Sequence, residues 1–246
     1  MKIDVIGDVH GCLEELQQLF FQLGYEKEQN HYYHPDGRLP VFVGDITDRG
    51  PNSVGVIRLV CEMVLQQKNA KYVPGNHCNK LYRYFLGNNV MQKHGLETTV
   101  AELQALDSAA RADIRKQFMT LYETAPLYLE IPEVNAIVAH AGIKESYIGR
   151  YDKKVKSFVL YGDVTGKLDE KGRPIRRDWA KYYHGSRWIV YGHTPVMEPR
   201  MVNKTINIDT GCVFGNALTA FRLPEEKTVI VPSNQPFIAD KFTSFP

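Results

Sequence analysis

The chain has 246 residues, 43% apolar and 24% charged, which is long enough for one domain with a real core and excludes extended disorder and membrane spanning. Lys and Arg number 30 against 28 acids, and a net +2 is too near balance to mark duplex nucleic acid or an anionic membrane as the partner. Met1 leads straight into an apolar run, with no basic stretch and long apolar segment behind it, so the expected address is cytoplasmic. Cys12, Cys61, Cys78 and Cys212 are unevenly spaced with no CxxC pair. They read as reduced core thiols, not as a disulfide frame or a thiolate zinc site.

In chain order, residues 2–6 predict a strand ending in Gly7-Asp8-Val9-His10-Gly11, and Leu13, Leu16, Leu19, Phe20 and Leu23 then fall at helical spacing. The pattern recurs as a strand at 40–43, a polar loop at 44–52 and a helix at 53–67 carrying Val56, Val60, Met63 and Val64. A third strand, 71–73, runs into Gly75 and Asn76, and Leu81, Tyr82 and Phe85 mark a short helix beyond. The polar stretch rich in Ala, Glu, Gln and Leu that follows has no strand signal, and is expected as a helical insertion around 92–124 of a single domain spanning 1–246. Strands at 127–131 and 134–139 deliver His140-Ala141-Gly142, and residues 164–178 read as a long loop. A strand at 188–191 ends in Gly192-His193-Thr194-Pro195, and strands at 205–208, 217–222 and 228–231 complete the chain. Alternating strands and helices followed by strand-rich sequence predict an α/β (α+β) fold, either a mixed sheet or two packed sheets with outer helices.

Ligands in such folds sit beyond the carboxyl ends of the strands. Five strand ends carry chemistry here: Asp8 and His10; Asp45 with Asp48 and Arg49; Asn76 and His77; His140; and His193. Each motif alone is ordinary, since Asp-x-His-Gly commonly makes a turn, Asn caps helices, and a histidine ending an apolar strand is commonly a satisfied core residue. Their coincidence decides, because four of only eight histidines fall at strand ends within glycine-bearing loops. Oxygen and imidazole donors without thiolate suit manganese, iron, nickel, cobalt or zinc better than a soft metal and leave the choice among these open, nickel or manganese being the expected pair. A carboxylate such as Asp45 can give one oxygen to each of two ions about 3.5–4 Å apart, so that both polarise one water.

In this order the motifs Gly7-Asp8-Val9-His10-Gly11, Gly44-Asp45-Ile46-Thr47-Asp48-Arg49-Gly50, Gly75-Asn76-His77, His140-Ala141-Gly142 and Gly192-His193-Thr194 resemble the calcineurin-like metallophosphoesterases of the phosphoprotein-phosphatase branch. The resemblance implies a β-sandwich of two mixed sheets flanked by helices (αββα), and a hydrolase holding two divalent metal ions. It assigns Asp8 and His10 to one ion, Asp45 to the bridge, and Asn76, His140 and His193 to the other. It makes His77 the general acid, with Asp48 behind it, and Arg49 a grip on phosphoryl oxygens. A second arginine is expected before the last metal histidine, and Arg176 is chosen with Arg177 as the near alternative. Cys78 stands where the branch commonly has Glu or Asp, which opens the site to altered hydrogen bonding or to oxidation.

More narrowly, Gly75-Asn76-His77-Cys78-Asn79-Lys80-Leu81, Tyr161-Gly162-Asp163 and Asn207-Ile208-Asp209-Thr210-Gly211-Cys212-Val213-Phe214 resemble PrpE-type bis(5'-nucleosyl)-tetraphosphatases and the phosphatase domain of bacterial polynucleotide kinase-phosphatases. That resemblance implies a dinucleoside polyphosphate or other nucleotide substrate, cleaved asymmetrically. No spacing identifies a base pocket, and Tyr82, Tyr84 and Tyr161, which lie near the motifs, are candidates to stack on a base whose ordinary role would be packing. A Ser/Thr or Tyr protein phosphatase acting on phosphoproteins, a polynucleotide end phosphatase and a catalytically silent binding module stay open. Thr194 in place of a second histidine disfavours a nuclease. Asp209 is a further carboxylate whose ordinary role would be to turn the chain.

Overall fold

A computed structural model describes the chain except for residues 30, 171, 173 and 246. It opens as a strand–helix repeat. β1 (Ile3–Ile6) leads into α1 (Leu13–Leu23), which buries Leu16, Leu19, Phe20 and Leu23 on one face. Glu14 and Glu15 favour the positive end of α1, and Gly24 terminates it at a left-handed φ of 89°. A small hairpin of β2 (Glu26–Glu28) and β3 (His31–Tyr33) separates this unit from β4 (Leu39–Phe42) and α2 (Ser53–Cys61). Asn52 caps α2 by accepting from the Gly55 amide at 2.8 Å, and the segment expected as helix to residue 67 ends in a wider i→i+5 turn over Glu62–Gln66. Then come β5 (Lys71–Tyr72), α3 (Asn76–Phe85), α4 (Leu96–Ala105) and α5 (Ser108–Thr124).

The second half contains β6 (Leu129–Ile131), β7 (Ala136–Val138), α6 (Lys153–Tyr161), β8 (Val164–Leu168) and β9 (Pro174–Arg176). It closes with β10 (Trp188–Tyr191), β11 (Arg200–Val202), β12 (Thr205–Asn207), β13 (Ala217–Leu223) and β14 (Lys227–Pro232). Residues 164–178 are therefore not one long loop. Antiparallel pairing of Val164 with Arg176 and Leu168 with Pro174 makes β8 and β9 a hairpin, and because its strands are mostly exposed they carry no apolar alternation to announce them. Helix α6 was also not anticipated: Asp152 caps it by accepting from the Lys154 and Val155 amides, and Val155, Phe158, Val159 and Leu160 bury.

One sheet runs β14-β13-β1-β4-β5 and the other β11-β12-β10-β7-β6. Alternation along the strands builds three cores. Ile3, Val5, Val41, Val138, Val190 and Ile206 meet between the sheets. Ile6, Phe42 and Tyr72 face the layer of α1 to α5, while Ile137, Ile189 and Tyr191 face α6 and Trp179. The order is helix, sheet, sheet, helix, as expected for the αββα sandwich. Among the described residues, no helix is long and apolar enough to cross a membrane.

Asp4, which interrupts the apolar run of β1, is fully buried. It accepts from Arg38 Nη2 at 2.9 Å, Arg222 Nε at 2.8 Å and the Tyr25 hydroxyl at 3.0 Å. Strand polarity puts this cluster away from the carboxyl ends.

Candidate metal centre

β1, β4 and β5 run parallel in the first sheet, as do β7, β10 and β12 in the second, so the loops leaving their carboxyl ends gather at one edge of the sandwich. These loops hold every residue expected at strand ends, and Asp209 after β12 joins them. The backbone there is strained, with His10 (φ 46°), Asp45 (36°), Asp48 (75°), Arg49 (72°) and His193 (74°) all left-handed. Close approach matters as well. A Cβ on Gly75 would lie 2.0 Å from Asp45 Oδ1, and one on Gly192 2.0 Å from Asp8 Oδ1.

Four donors converge on one point. His140 Nε2 lies 3.3 Å from Asp45 Oδ2, 3.0 Å from Asn76 Oδ1 and 3.1 Å from His193 Nδ1. The other nitrogen, Nδ1, faces the Val43 carbonyl at 3.1 Å. A carbonyl only accepts, so Nδ1 carries the hydrogen and Nε2 points its lone pair among the other acceptors. Donor atoms about 3 Å apart have the spacing of neighbouring ligands around an ion roughly 2.1 Å from each, so these residues fit a divalent cation.

His10 is built by the same logic. Its Nδ1 donates to the Thr47 carbonyl at 2.8 Å, and Nε2 lies 3.7 Å from Asp45 Oδ2, so Asp45 stands between the His10 side and the His140 side. Asp8 accepts from the His193 amide at 3.1 and 3.3 Å and approaches the His140 ring at 3.9 Å. His77 also reaches this side, because His10, Asp45 and His77 bring ligand-capable atoms within 4.8 Å of one another. Geometry alone thus offers His77 as well as Asp8 beside His10. Asp45 Oδ1 accepts from the His77 amide at 2.8 Å, which pins the carboxylate to the positive end of α3. A separate buried trio, Cys12, Glu15 and Cys212, lies elsewhere, and Glu15 Oε1 there already accepts from the Asn234 amide at 3.0 Å.

The electrostatics are those of a cation cage. Burial, with Asp209 and Asp45 nearby, pushes the Asp8 carboxyl well above its ordinary range. Burial raises Asp209 to about 6. Asp45 is also penalised by burial, but the charges of His140, His77 and His10 hold it well below the usual carboxylate value. His10 and His193 are pushed well down, first by burial and then by Arg49 beside His10 and by His140 and Arg176 beside His193. Neutral imidazoles are what a cation takes.

His77 Nδ1 sits 2.7 Å from Asp48 Oδ2, and Asp48 Oδ1 accepts from the Thr99 hydroxyl at 2.7 Å. Thr99 belongs to α4, within the segment whose role the sequence left open. Gly95, which precedes α4, accepts from the Arg49 amide at 3.0 Å, and Glu102 accepts from the Ser53 and Val54 amides at 2.8 Å. The helical segment therefore clasps the Asp48–Arg49 loop. Sequence gave no sign of Thr99, and it undervalued Asp209. Arg49 Nη1 approaches His10 Nε2 at 2.7 Å and its guanidinium lies over the Phe214 ring. Arg176 Nη2 reaches His193 Nε2 at 2.9 Å, whereas Arg177 turns outward to Asp163 at 3.3 Å. Cys78 is fully buried and burial lifts its thiol to about 12. Tyr82 is stacked on Tyr122, 4.3 Å between centroids, and so is committed within the fold.

Comparison with known proteins agrees with this architecture. The family of calcineurin-like phosphoesterases matches residues 1–197. The chain belongs to that family. Its fold and donor set are those of a metal-dependent phosphoesterase, and the family implies divalent metal ions. A protein from Oceanobacillus iheyensis named bis(5'-nucleosyl)-tetraphosphatase PrpE (asymmetrical) is 63% identical over 245 residues, covering 100% of this chain and 98% of its own. A protein of the same name from Halalkalibacterium halodurans is 59% identical over 246 residues, covering 100% of both. Among solved structures, one provisionally named a diadenosine tetraphosphatase superposes with a TM-score of 0.66 at 24% identity, over 94% of this chain and 93% of that one. A cold-active protein tyrosine phosphatase gives 0.55 at 15% identity, over 95% and 79%. These two likenesses speak to the fold alone.

Proposed function

We propose that this phosphoesterase hydrolyses dinucleoside tetraphosphates asymmetrically, releasing a nucleoside monophosphate and a nucleoside triphosphate. The observation that carries the proposal is Asp45, a buried carboxylate facing His10 on one side and His140 on the other. The substrate reading is supported by the two full-length relatives with that name. In this reading Asp8, His10 and Asp45 hold one divalent ion, and Asp45, Asn76, His140 and His193 hold the other. Oxygen and imidazole donors suit divalent ions of this class, and nickel or manganese is the proposed occupant. Bound there, such ions polarise water and phosphoryl oxygens.

The remaining roles belong to the chain's own side chains. Arg49 and Arg176, approaching His10 and His193 respectively, frame the centre and supply planar donors to phosphoryl oxygens as charge develops on them. His77 delivers a proton to the departing phosphate oxygen from Nε2, while Asp48 fixes its Nδ1–H and thereby its orientation. Thr99 positions Asp48 in turn. The proposal includes one catalytic unit over residues 1–246, with 92–124 as a helical insertion, and a cytoplasmic setting in which its four free cysteines stay reduced.

The test is product analysis with diadenosine tetraphosphate and added manganese or nickel, with elemental analysis of the purified protein alongside. AMP and ATP in equal amounts are expected. Two equivalents of ADP, or no cleavage by protein that rapidly dephosphorylates a phosphopeptide or a 3'-phosphorylated oligonucleotide, overturns the reading.

A further inference from the structure

Beside the metal centre lies a cavity of about 630 Å³ that none of the roles above uses. That is the size of a small-molecule site. Trp179 forms part of its lining, packed against Gly142, two residues past His140, so closely that a Cβ there would overlap the indole. Tyr182 and Tyr183 add two more rings, and Tyr182 is 78% exposed. Asp163, Arg177 and Trp179 also line the narrow cleft that contains Arg176 and His193, so the cavity and the metal centre share walls.

The charges at the cavity cancel. Asp163 pairs with both Lys144 at 2.7 Å and Arg177 at 3.3 Å, and the exposed Glu145 is the second carboxylate in the lining. A phosphate site would leave its cations unspent. A neutral, flat group with hydroxyls fits better: aromatic faces bind a base by stacking, and carboxylates accept from sugar hydroxyls.

We propose that this cavity is the subsite for one nucleoside of the substrate. The base lies against Tyr182 and Trp179, the ribose hydroxyls donate to Glu145, and the polyphosphate runs past Arg176 toward the metal centre. The assignment deepens the hydrolysis reading and rests on it for the identity of the ligand. It also replaces Tyr82, Tyr84 and Tyr161 as the stacking residues.

The chain has two tryptophans, so Trp188→Phe leaves Trp179 as the sole indole emitter. Adenosine, which has no phosphate, should quench Trp179 saturably, and adding Tyr182→Ala should weaken that binding about tenfold. With loaded enzyme, Tyr182→Ala should lower the ratio of kcat/KM for diadenosine tetraphosphate over p-nitrophenyl phosphate about tenfold, through KM. Circular dichroism of each variant confirms folding. Absence of saturable quenching by adenosine, an unchanged response in the Tyr182 variant, or saturable quenching by phosphotyrosine instead of adenosine overturns the subsite. Saturable adenosine binding by protein that leaves diadenosine tetraphosphate intact supports the subsite and removes the hydrolysis reading. Cleavage to AMP and ATP without adenosine quenching does the reverse.

Discussion

Asp4, inside β1, and Asp8, just past its end, are both buried, but their surroundings differ in kind. Asp4 is met by two guanidinium groups and a phenol, every donor coming from the chain itself. Asp8 is met by one backbone amide, with the His140 ring at 3.9 Å and Arg49 nearby, but burial and two further carboxylates, Asp209 and Asp45, push its ionisation up. A buried charge persists only with compensation, so the first cluster is complete within the protein and the second is arranged to take up positive charge from outside. One strand thus separates an internally paired ion cluster from the candidate metal centre, and polarity along the strand decides which end carries which.

The comparison breaks most sharply at Asp45. Asp45→Ala should abolish stoichiometric metal by elemental analysis and lower kcat by about 10³-fold or more, with a folded far-ultraviolet spectrum. Retained metal with retained rate would remove Asp45 from the bridge. Asp4→Ala should do the opposite, costing about 3 kcal/mol in denaturant unfolding because Arg38 loses its main partner in the interior, while metal per folded protein stays constant. If metal content falls as stability does, the two clusters are not separable.

Asp209→Asn tests the centre from the side of repulsion. Burial raises the Asp209 pKa to about 6, so the ionised carboxylate opposes folding of the metal-free protein above that pH, and the unfolded chain carries no such cost. The substitution should stabilise metal-free protein by roughly 1–2 kcal/mol at pH 8 in urea unfolding. The gain should shrink as pH falls through about 6 toward 4, where the native carboxyl becomes neutral. A gain that grows on acidification would contradict the raised pKa. Thr99→Val is expected to have the smallest effect, a fall of about tenfold in kcat/KM with unchanged metal content, since it touches Asp48 and not the cage. Loss of metal in that variant would mean that α4 supports the cage itself.

The candidate centre was legible because its residues sit where an apolar run ends in a glycine-bearing loop, a pattern that survives without coordinates. Asp8, Asp45, Asn76, His140 and His193 were all singled out that way, whereas strand periodicity left one mixed sheet or two packed sheets open and the order of layers came from the family resemblance. The rest depended on contacts distant in sequence. Thr99 is one polar residue on a helix until the fold sets it against Asp48, 51 positions away. Arg176 and Arg177 are adjacent and alike, and only the pairing of β8 with β9 decides which guanidinium turns toward His193. The β8–β9 hairpin itself hid because exposed strands need no apolar alternation. Tyr182 lay in a stretch with no motif to draw attention to it.

The clasp formed by α4 has a consequence for how this enzyme can be altered. Because Gly95 and Thr99 fasten Arg49 and Asp48, and Glu102 the start of α2, while none of the three is a proposed ligand, ion retention and turnover should answer to different stretches of polypeptide. Exchanging residues 95–102 with those of a relative is then expected to change turnover more than metal content, a route to altered selectivity that leaves the sandwich untouched.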